Sequence, residues 1–427
     1  MTAAQASILF FLQMAAILAT CRIIGWFAQR FMGQPQVVGE MIAGIVLGPS
    51  LLGMLLPEIE AALFPAESRK VLYVGAQLGV GLYMFIVGLT FDRAEFRLHA
   101  RSSAAVSIGG MIAPFAVAAL MIPWLLTHPG LFSPKVSSGQ AALFLGSAIA
   151  ITAFPMLARI IHERGIAGTR LGLLSLSAGA IGDAGAWAVI ALVLASMGEG
   201  AATAIWAIGG GLAFAVVMIW IAPAQLKRLS TMAERSGAVD DGVLAIVLIL
   251  FLLSAWAMDA AGIHAVFGGF LLGTAMPRGK FAEDLRSRLE PFTVVFLLPM
   301  FFTFSGLNTQ LQVLGSASLL TVTLAILAAS ILAKGGACYL AARLSGQDHA
   351  TSMGIGALMN ARGLMELIII NIGLSRGIIG PALFAILVLM AIVTTLMATP
   401  LFELVYGRAA RTRGDTRAAV TDVQGGA

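Results

Sequence analysis

The stretch "LSAGAIGDAGAWAVIALVL" runs from Leu176 to Leu194 and contains one ionisable residue, Asp183. Small and apolar residues surround this carboxylate on both sides. An ionised side chain at the centre of a bilayer costs about 2.5–3.5 kcal/mol on insertion scales. A segment that otherwise suits hydrocarbon therefore carries a side chain that must face a cavity, a partner or a bound ion.

The whole chain has the same apolar character, because 59% of its 427 residues are hydrophobic and 11% are charged. Apolar runs of about 20 residues recur, each long enough to cross roughly 30 Å of hydrocarbon as a helix. The runs do not alternate apolar and polar residues, as the strands of a membrane β-barrel do. The pattern predicts an all-α polytopic membrane protein with about 13 transmembrane helices in residues 1–406. A short basic tail follows at 407–427, which we expect to be disordered.

The distribution of lysine and arginine predicts the orientation. If the N-terminus lies outside, 18 of the 26 basic residues fall in inner loops and the tail, four in outer loops and four within spans. We therefore expect a multi-pass protein of the cell inner (plasma) membrane with a cytoplasmic C-terminus. The net charge of +5 then belongs to the inner membrane surface, and no aromatic-interleaved basic patch indicates nucleic acid.

Several classes of site lack their sequence signals. The two cysteines, Cys21 and Cys338, lie in predicted spans, and the five histidines are scattered without ligand spacing. These patterns predict neither a disulfide framework nor a metal site. No phosphate-binding GxxxxGK[ST] motif occurs, so we expect no cofactor and no nucleotide. Transport would then be driven by gradients rather than by ATP.

Two predicted spans contain residues that interrupt helices. In the fifth, "AITAFPMLARI" (Ala150–Ile160) contains Thr152 and Pro155, and proline removes a backbone donor and clashes with the preceding turn. In the twelfth, "ALMNARGLMELI" (Ala357–Ile368) contains Asn360, Arg362, Gly363 and Glu366. The two spans run in opposite directions, which is typical of an inverted-repeat secondary transporter with an ion site near the midplane. A proline kink and a structural ion pair would explain either segment alone.

Asp183 and Lys334 are predicted to lie inside the sixth and eleventh spans, without an opposite charge one helical turn away. Each therefore needs a partner on another helix or in water. Asp183 is either a functional acid or a permanently protonated acid in an interhelical hydrogen bond. Lys334 is either functional or a snorkelling or structural lysine, because it lies towards the inner side. Arg362 and Glu366 are spaced i, i+4 on one helix and can neutralise each other, so we expect a structural ion pair.

Five segments, in order, resemble the second monovalent cation/proton antiporter family, the Kef-type potassium/proton and related sodium/proton exchangers. They are "QPQVVGEMIAGIVLGPSLLG" (Gln34–Gly53), "GLYMFIVGLTFD" (Gly81–Asp92), "ITAFPMLARI" (Ile151–Ile160), "LPMFFTFSGLNT" (Leu298–Thr309) and "LMNARGLMELIIINIG" (Leu358–Gly373). The resemblance runs from about Ile8 to Glu403. It implies a dimerisation domain, and hence a homodimer, together with a mobile core domain that holds two crossed, discontinuous helices.

The resemblance also implies roles for individual residues. Asp183 aligns with the acid that binds either the cation or a proton, and Lys334 aligns with a lysine that many members share. Thr152 and Asn360 fall at the two helix breaks, so we expect Thr152 to assist ion binding. Many members have two adjacent polar residues where this chain has Gly182 before Asp183, which leaves ion choice and stoichiometry open. The 427 residues contain no segment like the Kef-type nucleotide-binding domain, so we expect no gating of that kind.

These features predict a secondary active antiporter that exchanges Na+ or K+ for protons. A buried carboxylate loses hydration, which favours its protonated form, so a proton and a cation compete for it. A sodium-coupled symporter of a small organic anion is the alternative. A channel would need a filter or an acid ring that is not visible. The segment "AIGD" (Ala180–Asp183) is similar to the GxGD motif of intramembrane aspartyl proteases, but Ala180 replaces the first glycine and no second membrane aspartate is placed to share the proton, so we expect no enzyme.

The stoichiometry depends on Lys334. If Lys334 stays protonated throughout, one carboxylate trades one proton for one cation and no net charge moves. If cation binding expels the ammonium proton, two protons move for each cation and exchange is electrogenic. We favour the electroneutral case, because water at the inner side can stabilise the lysine charge.

Overall fold

A computed structural model describes residues 3–32, 34, 36–91, 93–194, 201–236, 238–262, 265–307, 317–362 and 364–407. For some helical residues in these ranges, including Pro155 and Asp183, the side chains lie outside the described part. Gly363 and residues 408–427, which make up nearly all of the predicted tail, also lie outside it.

Helices account for nearly all of the described chain. They are α1 (Ala3–Met32), α2 (Gln36–Leu47), α3 (Leu52–Leu55), α4 (Pro57–Leu63), α5 (Ala66–Thr90), α6 (Arg93–Leu125), α7 (Ser138–Ala150), α8 (Phe154–Glu163), α9 (Arg170–Leu194), α10 (Ala201–Val216), α11 (Ala222–Ser236), α12 (Asp241–Ala260), α13 (Ala265–Ala275), α14 (Lys280–Phe292), α15 (Leu298–Leu307), α16 (Ala317–Ser330), α17 (Ala337–Leu344), α18 (His349–Leu358), α19 (Leu364–Ser375) and α20 (Pro381–Phe402). A π-helical turn at Ile331–Gly336 joins α16 to α17 without a break. Within the described ranges, β-structure is limited to one isolated antiparallel bridge, between Phe132 and Ile379.

Nine segments of the described chain are long and apolar enough to cross a membrane. Three further apolar helical segments are shorter, namely α7, the first part of α9 and α13. The predicted class, an all-helical polytopic membrane protein, is therefore confirmed. The number of thirteen spans stays a prediction, because length alone does not count interrupted helices.

The chain divides into two compact units, of which the first comprises Met1–Arg22, Glu40–Arg93 and Trp187–Asn308. Its central helix α5 is buried continuously from Gly79 to Leu89 and packs against α12, α13 and α15. The helices approach closely where both carry glycine: a Cβ added at Gly88 would lie 2.9 Å from the Cα of Gly273. Such small residues let helix backbones pack tightly, which matters in a bilayer because the hydrophobic effect does not drive helices together there.

The second unit comprises Ile23–Gly39, Ala94–Ala186 and Thr309–Ala427. It contains both interrupted helices, namely α7 with α8 and α18 with α19, together with most of α6, the first part of α9, α16, α17 and α20. All the residues predicted for the ion site belong to its sequence ranges. The candidate site is therefore described within this one unit.

The first interruption lies at Ile151–Ala153, between α7 and α8. Ile151 and Ala153 have extended backbone angles. Pro155 falls in the first turn of α8, where its missing N–H needs no partner. A continuous helix would bring the proline ring against the carbonyl of the residue four positions earlier, Ile151. The predicted cause of the break therefore agrees with its position.

The second interruption has no proline. α18 ends at Leu358, residues 359–362 are not helical, and α19 begins at Leu364. The last turn of α18 tightens, because the amides of Asn360 and Ala361 donate to the carbonyls three residues back, at 3.3 and 3.0 Å. Such bonds satisfy carbonyls that a helix end leaves open.

A short bridge ties the two interrupted helices together at their far ends. The amide of Ser133, before α7, donates to Ile378 O at 3.1 Å, and the amide of Gly380, after α19, donates to Leu131 O at 2.8 Å. The segment leading into the first interrupted helix is thus fixed to the segment leaving the second.

Candidate cation and proton site

The two interruptions meet inside the second unit. The amide of Ala153 donates to Ala361 O at 3.1 Å, and the hydroxyl of Thr152 donates to Met359 O at 3.3 Å. Thr152 and Asn360 are both buried. The sequence predicted a break in each helix, and the structure adds that the backbone of one break hydrogen-bonds to the backbone of the other.

The carboxyl end of α7 is covered by two cationic side chains. Arg362 donates from Nη1 to Ala148 O at 2.8 Å and from Nη2 to Ile149 O at 2.9 Å. The ammonium of Lys334 donates to Ala150 O. The last carbonyls of a helix have no partner within it, and the helix dipole makes that end negative. Two positive charges therefore lie where the interrupted helix presents its negative end.

Lys334 lies in the π-helical turn at Ile331–Gly336 and is 1% exposed. The prediction that water has access to Lys334 is therefore wrong, whereas its position towards the inner side of the membrane stays a prediction. Neighbouring helices bury it, and its charge is stabilised by the carbonyl end of α7 instead of by solvent. The π-helical turn is not visible in the sequence, so its effect on the position of Lys334 was not predicted.

Arg362 and Glu366 form the expected i, i+4 contact. Nη1 of Arg362 lies 3.3 Å from Oε1 of Glu366, and both side chains are 0% exposed. Neither carboxylate oxygen of Glu366 has a hydrogen-bond partner among the described residues. The guanidinium makes its hydrogen bonds elsewhere, with the α7 carbonyls and with Ser330 Oγ at 2.6 Å. Glu366 therefore depends on Arg362, whereas Arg362 has additional partners.

Asp183 belongs to α9, and its side chain lies outside the described part. The glycine one turn earlier shows what this part of the helix packs against. Position 183 lies one turn beyond Gly179, on the same face of the helix. A Cβ at Gly179 would lie 2.8 Å from Leu157 and 3.3 Å from Phe154, the first residue of α8. This face of α9 is therefore packed against the start of the half-helix that follows the first interruption.

Helix α6 connects the neighbourhood of Asp183 with Lys334. A Cβ at Gly182 would lie 3.2 Å from Ser107 Oγ on α6, and one at Gly185 would lie 2.6 Å from Met111 Cε. One turn along the same face of α6, a Cβ at Gly110 would lie 3.6 Å from Lys334 Nζ. The sequence did not indicate this face, whose only signal is a serine close to two glycines in the apolar second part of the helix.

The described atoms available to a bound cation are oxygens. Asn360 Oδ1 and Ser107 Oγ are buried and have no hydrogen-bond partner in the described part of the chain. Within the same residues, no group of three His, Cys, Asp or Glu side chains could hold a metal ion. Hydroxyl, amide and carbonyl oxygens suit a hard monovalent cation better than a transition metal.

Comparisons with a family model and with individual proteins indicate the same family. A family model described as "Sodium/hydrogen exchanger, transmembrane" matches residues 15–405. The Na(+)/H(+) antiporter NhaS4 of Synechocystis is 36% identical over 395 residues, which cover 91% of this chain and 95% of that protein.

Two further proteins extend the comparison. The K(+)/H(+) antiporter 1 of Saccharomyces cerevisiae is 31% identical over 408 residues, or 93% of this chain and 46% of that protein. The chain thus spans about half the length of this yeast relative. The solved structure of the sodium proton antiporter MjNhaP1 from Methanocaldococcus jannaschii has a TM-score of 0.65 and covers 96% of this chain and 99% of its own, at 14% identity. At that identity the likeness concerns the fold.

Proposed function

Because the chain belongs to the transmembrane sodium/hydrogen exchanger family, we propose that it is a secondary active antiporter that exchanges a monovalent cation, Na+ or K+, for protons. Asp183 on α9 holds either the cation or the proton, and Thr152 at the first helix break contributes to the same site. Relatives that are named as antiporters do not favour the alternative, a sodium-coupled symporter of a small organic anion. The family consists of transporters rather than enzymes.

The observation that supports this most directly is the pair of cations on the carboxyl end of α7. Arg362 and Lys334 donate hydrogen bonds to the carbonyls of Ala148, Ile149 and Ala150. With that end already neutralised, a transported cation needs a negative charge from another group. Asp183, on the helix packed against the start of α8, supplies it.

The charges of the site explain why exchange is coupled. Arg362 and Lys334 are two cations and Glu366 is one anion, so these three groups carry a formal charge of +1. An empty, ionised Asp183 brings the sum to zero. Either a proton or a monovalent cation on Asp183 returns it to +1. The two loaded forms are thus electrically alike, and the same conformational change can carry either one, while the empty form differs.

The membrane context belongs to the same proposal. The excess of lysine and arginine in the predicted inner loops favours an external N-terminus and a cytoplasmic C-terminus in the cell (plasma) membrane. A homodimer is expected from the family resemblance. The lipid bilayer is the solvent of the apolar helices.

The test uses purified protein in liposomes that contain a pH-sensitive dye and a trapped acidic buffer. Addition of NaCl or KCl outside should alkalinise the interior without any organic solute, whereas choline chloride should not. Asp183→Asn should remove this response while the protein stays folded. Cation uptake that requires an organic anion would indicate the symporter, and a cation response of Asp183→Asn at the wild-type rate would refute the role of Asp183.

A further inference from the structure

Ser107 has a buried hydroxyl that the fold leaves without a partner. The residue is 1% exposed, and its Oγ has no hydrogen-bond partner among the described residues. Buried hydroxyls are hydrogen-bonded in the large majority of cases, so an exception calls for an explanation. Helix capping does not account for this one, since Ser107 lies inside α6, far from either end.

The position of Ser107 suggests what the hydroxyl is for. Its Oγ is the nearest described atom to the space where a side chain of Gly182 would lie, at 3.2 Å from that Cβ position. Gly182 directly precedes Asp183 in α9. Since glycine has no side chain, the hydroxyl of α6 borders the space that a side chain at position 182 would fill, next to Asp183 along the chain.

The same face of α6 borders the cationic part of the site. Gly110 follows Ser107 by three residues, and a Cβ at this position would lie 2.5 Å from Cys338 Sγ and 3.6 Å, an ordinary contact distance, from the ammonium nitrogen of Lys334. Ser107 therefore lies on a surface that touches α9 beside Asp183 and also touches Lys334. An ion held by Asp183 would be within reach of this surface.

We propose that Ser107 Oγ is a ligand of the transported cation, so that α6 contributes an oxygen on the side of the site where Gly182 offers none. This rests on the proposed function of Asp183 in cation/proton exchange. A hydroxyl oxygen can coordinate a dehydrated Na+ or K+ with its lone pairs, and the hydroxyl can donate a hydrogen bond to a carboxylate when the cation leaves. The hydroxyl thus has a partner with and without the cation, which explains why the described residues offer it none.

The test compares Ser107→Thr with Ser107→Val, because threonine and valine have nearly the same shape and differ in the hydroxyl. In the liposome assay, Ser107→Val and Ser107→Ala should raise the KM for the cation about tenfold, the scale of one lost interaction with a charged group. Ser107→Thr should stay within about threefold of the wild type. The maximal rate should change little in all three.

Ser103 supplies the matched control on the same helix. It lies one turn from Ser107, is also buried, and its Oγ is also without a described partner, but it does not border Gly182. Ser103→Ala should leave the KM for the cation unchanged. A tenfold rise in Ser103→Ala would overturn the proposal, because the effect would then follow from losing any buried hydroxyl of α6.

A second readout does not require transport. NaCl or KCl, compared with choline chloride, should raise the melting temperature of the detergent-solubilised wild type, since a ligand stabilises the state that binds it. Ser107→Val should need about tenfold more cation for the same shift. Equal KM values and equal shifts for the threonine and valine variants would overturn the role of Ser107. A wild type that shows neither exchange nor a cation-dependent shift would instead refute the proposed function itself.

Discussion

Removal of Arg362 should destabilise the protein far more than removal of the charge on Glu366. Arg362→Ala deletes hydrogen bonds to Ala148 O at 2.8 Å, Ile149 O at 2.9 Å and Ser330 Oγ at 2.6 Å. It also leaves the fully buried Glu366 without the cation that lies 3.3 Å away. Removing one partner of a buried ion pair costs about 3–5 kcal/mol. Because the substitution also removes the cation from the negative end of α7, we expect a loss in the free energy of unfolding near the upper limit of this range.

Glu366→Gln leaves a different situation. The guanidinium keeps its three described hydrogen bonds and the negative end of α7, so its charge stays compensated. The expected loss in the free energy of unfolding is about 1–2 kcal/mol, the scale of one hydrogen bond to a charged group. The double substitution should cost less than the sum of the single ones, because it leaves no unpaired buried carboxylate.

The assay is thermal melting of purified variants in one detergent, with Arg343→Ala as the control. Arg343 is exposed and donates to Gln347 O at 2.7 Å after the end of α17, so its loss should change stability by about 0.5 kcal/mol or less. Equal destabilisation by Arg362→Ala and Glu366→Gln would refute the reasoning that α7 holds Arg362. A normal melting temperature with lost exchange in Arg362→Ala would assign the pair to the ion pathway.

Three further predictions concern other parts of the molecule. Asp183→Glu should retain part of the exchange with an altered KM for the cation, since the charge stays and its reach changes; an inactive but well-folded variant would show that reach is decisive. Exchange should be electroneutral, because the end of α7 stabilises the charged ammonium of Lys334; proton flux driven by membrane potential at equal pH and equal cation, and abolished in Lys334→Gln, would contradict this. Gly88→Ala should destabilise the protein by about 1–3 kcal/mol through overpacking, since the new Cβ would lie 2.9 Å from Gly273 Cα. The control Gly209→Ala, where no atom lies within 4 Å, should be neutral or stabilising; equal melting temperatures for these two variants would show that the close approach is not tight.

Local chemistry was accessible without the fold. The charge at Asp183 is expensive in lipid, the ring of Pro155 prevents a continuous helix, and the spacing of Arg362 and Glu366 places them on adjacent turns. Each inference depends on residues that are neighbours along the chain. The helical class, the two interruptions and the ion-pair contact follow from such neighbours.

The tertiary structure decided which groups that are distant in sequence come into contact, and the buried charges are the clearest examples. Lys334 was expected at the inner side with access to water, but it is buried against Ala150 O, 184 residues away in sequence. Arg362 makes the expected contact with Glu366, but two of its three described side-chain hydrogen bonds go to α7, more than 200 residues away in sequence. Ser107 has no distinctive sequence pattern and became notable only beside Gly182. Helix periodicity specifies which residues share a face, but the partner of that face depends on packing between helices, which no local pattern encodes.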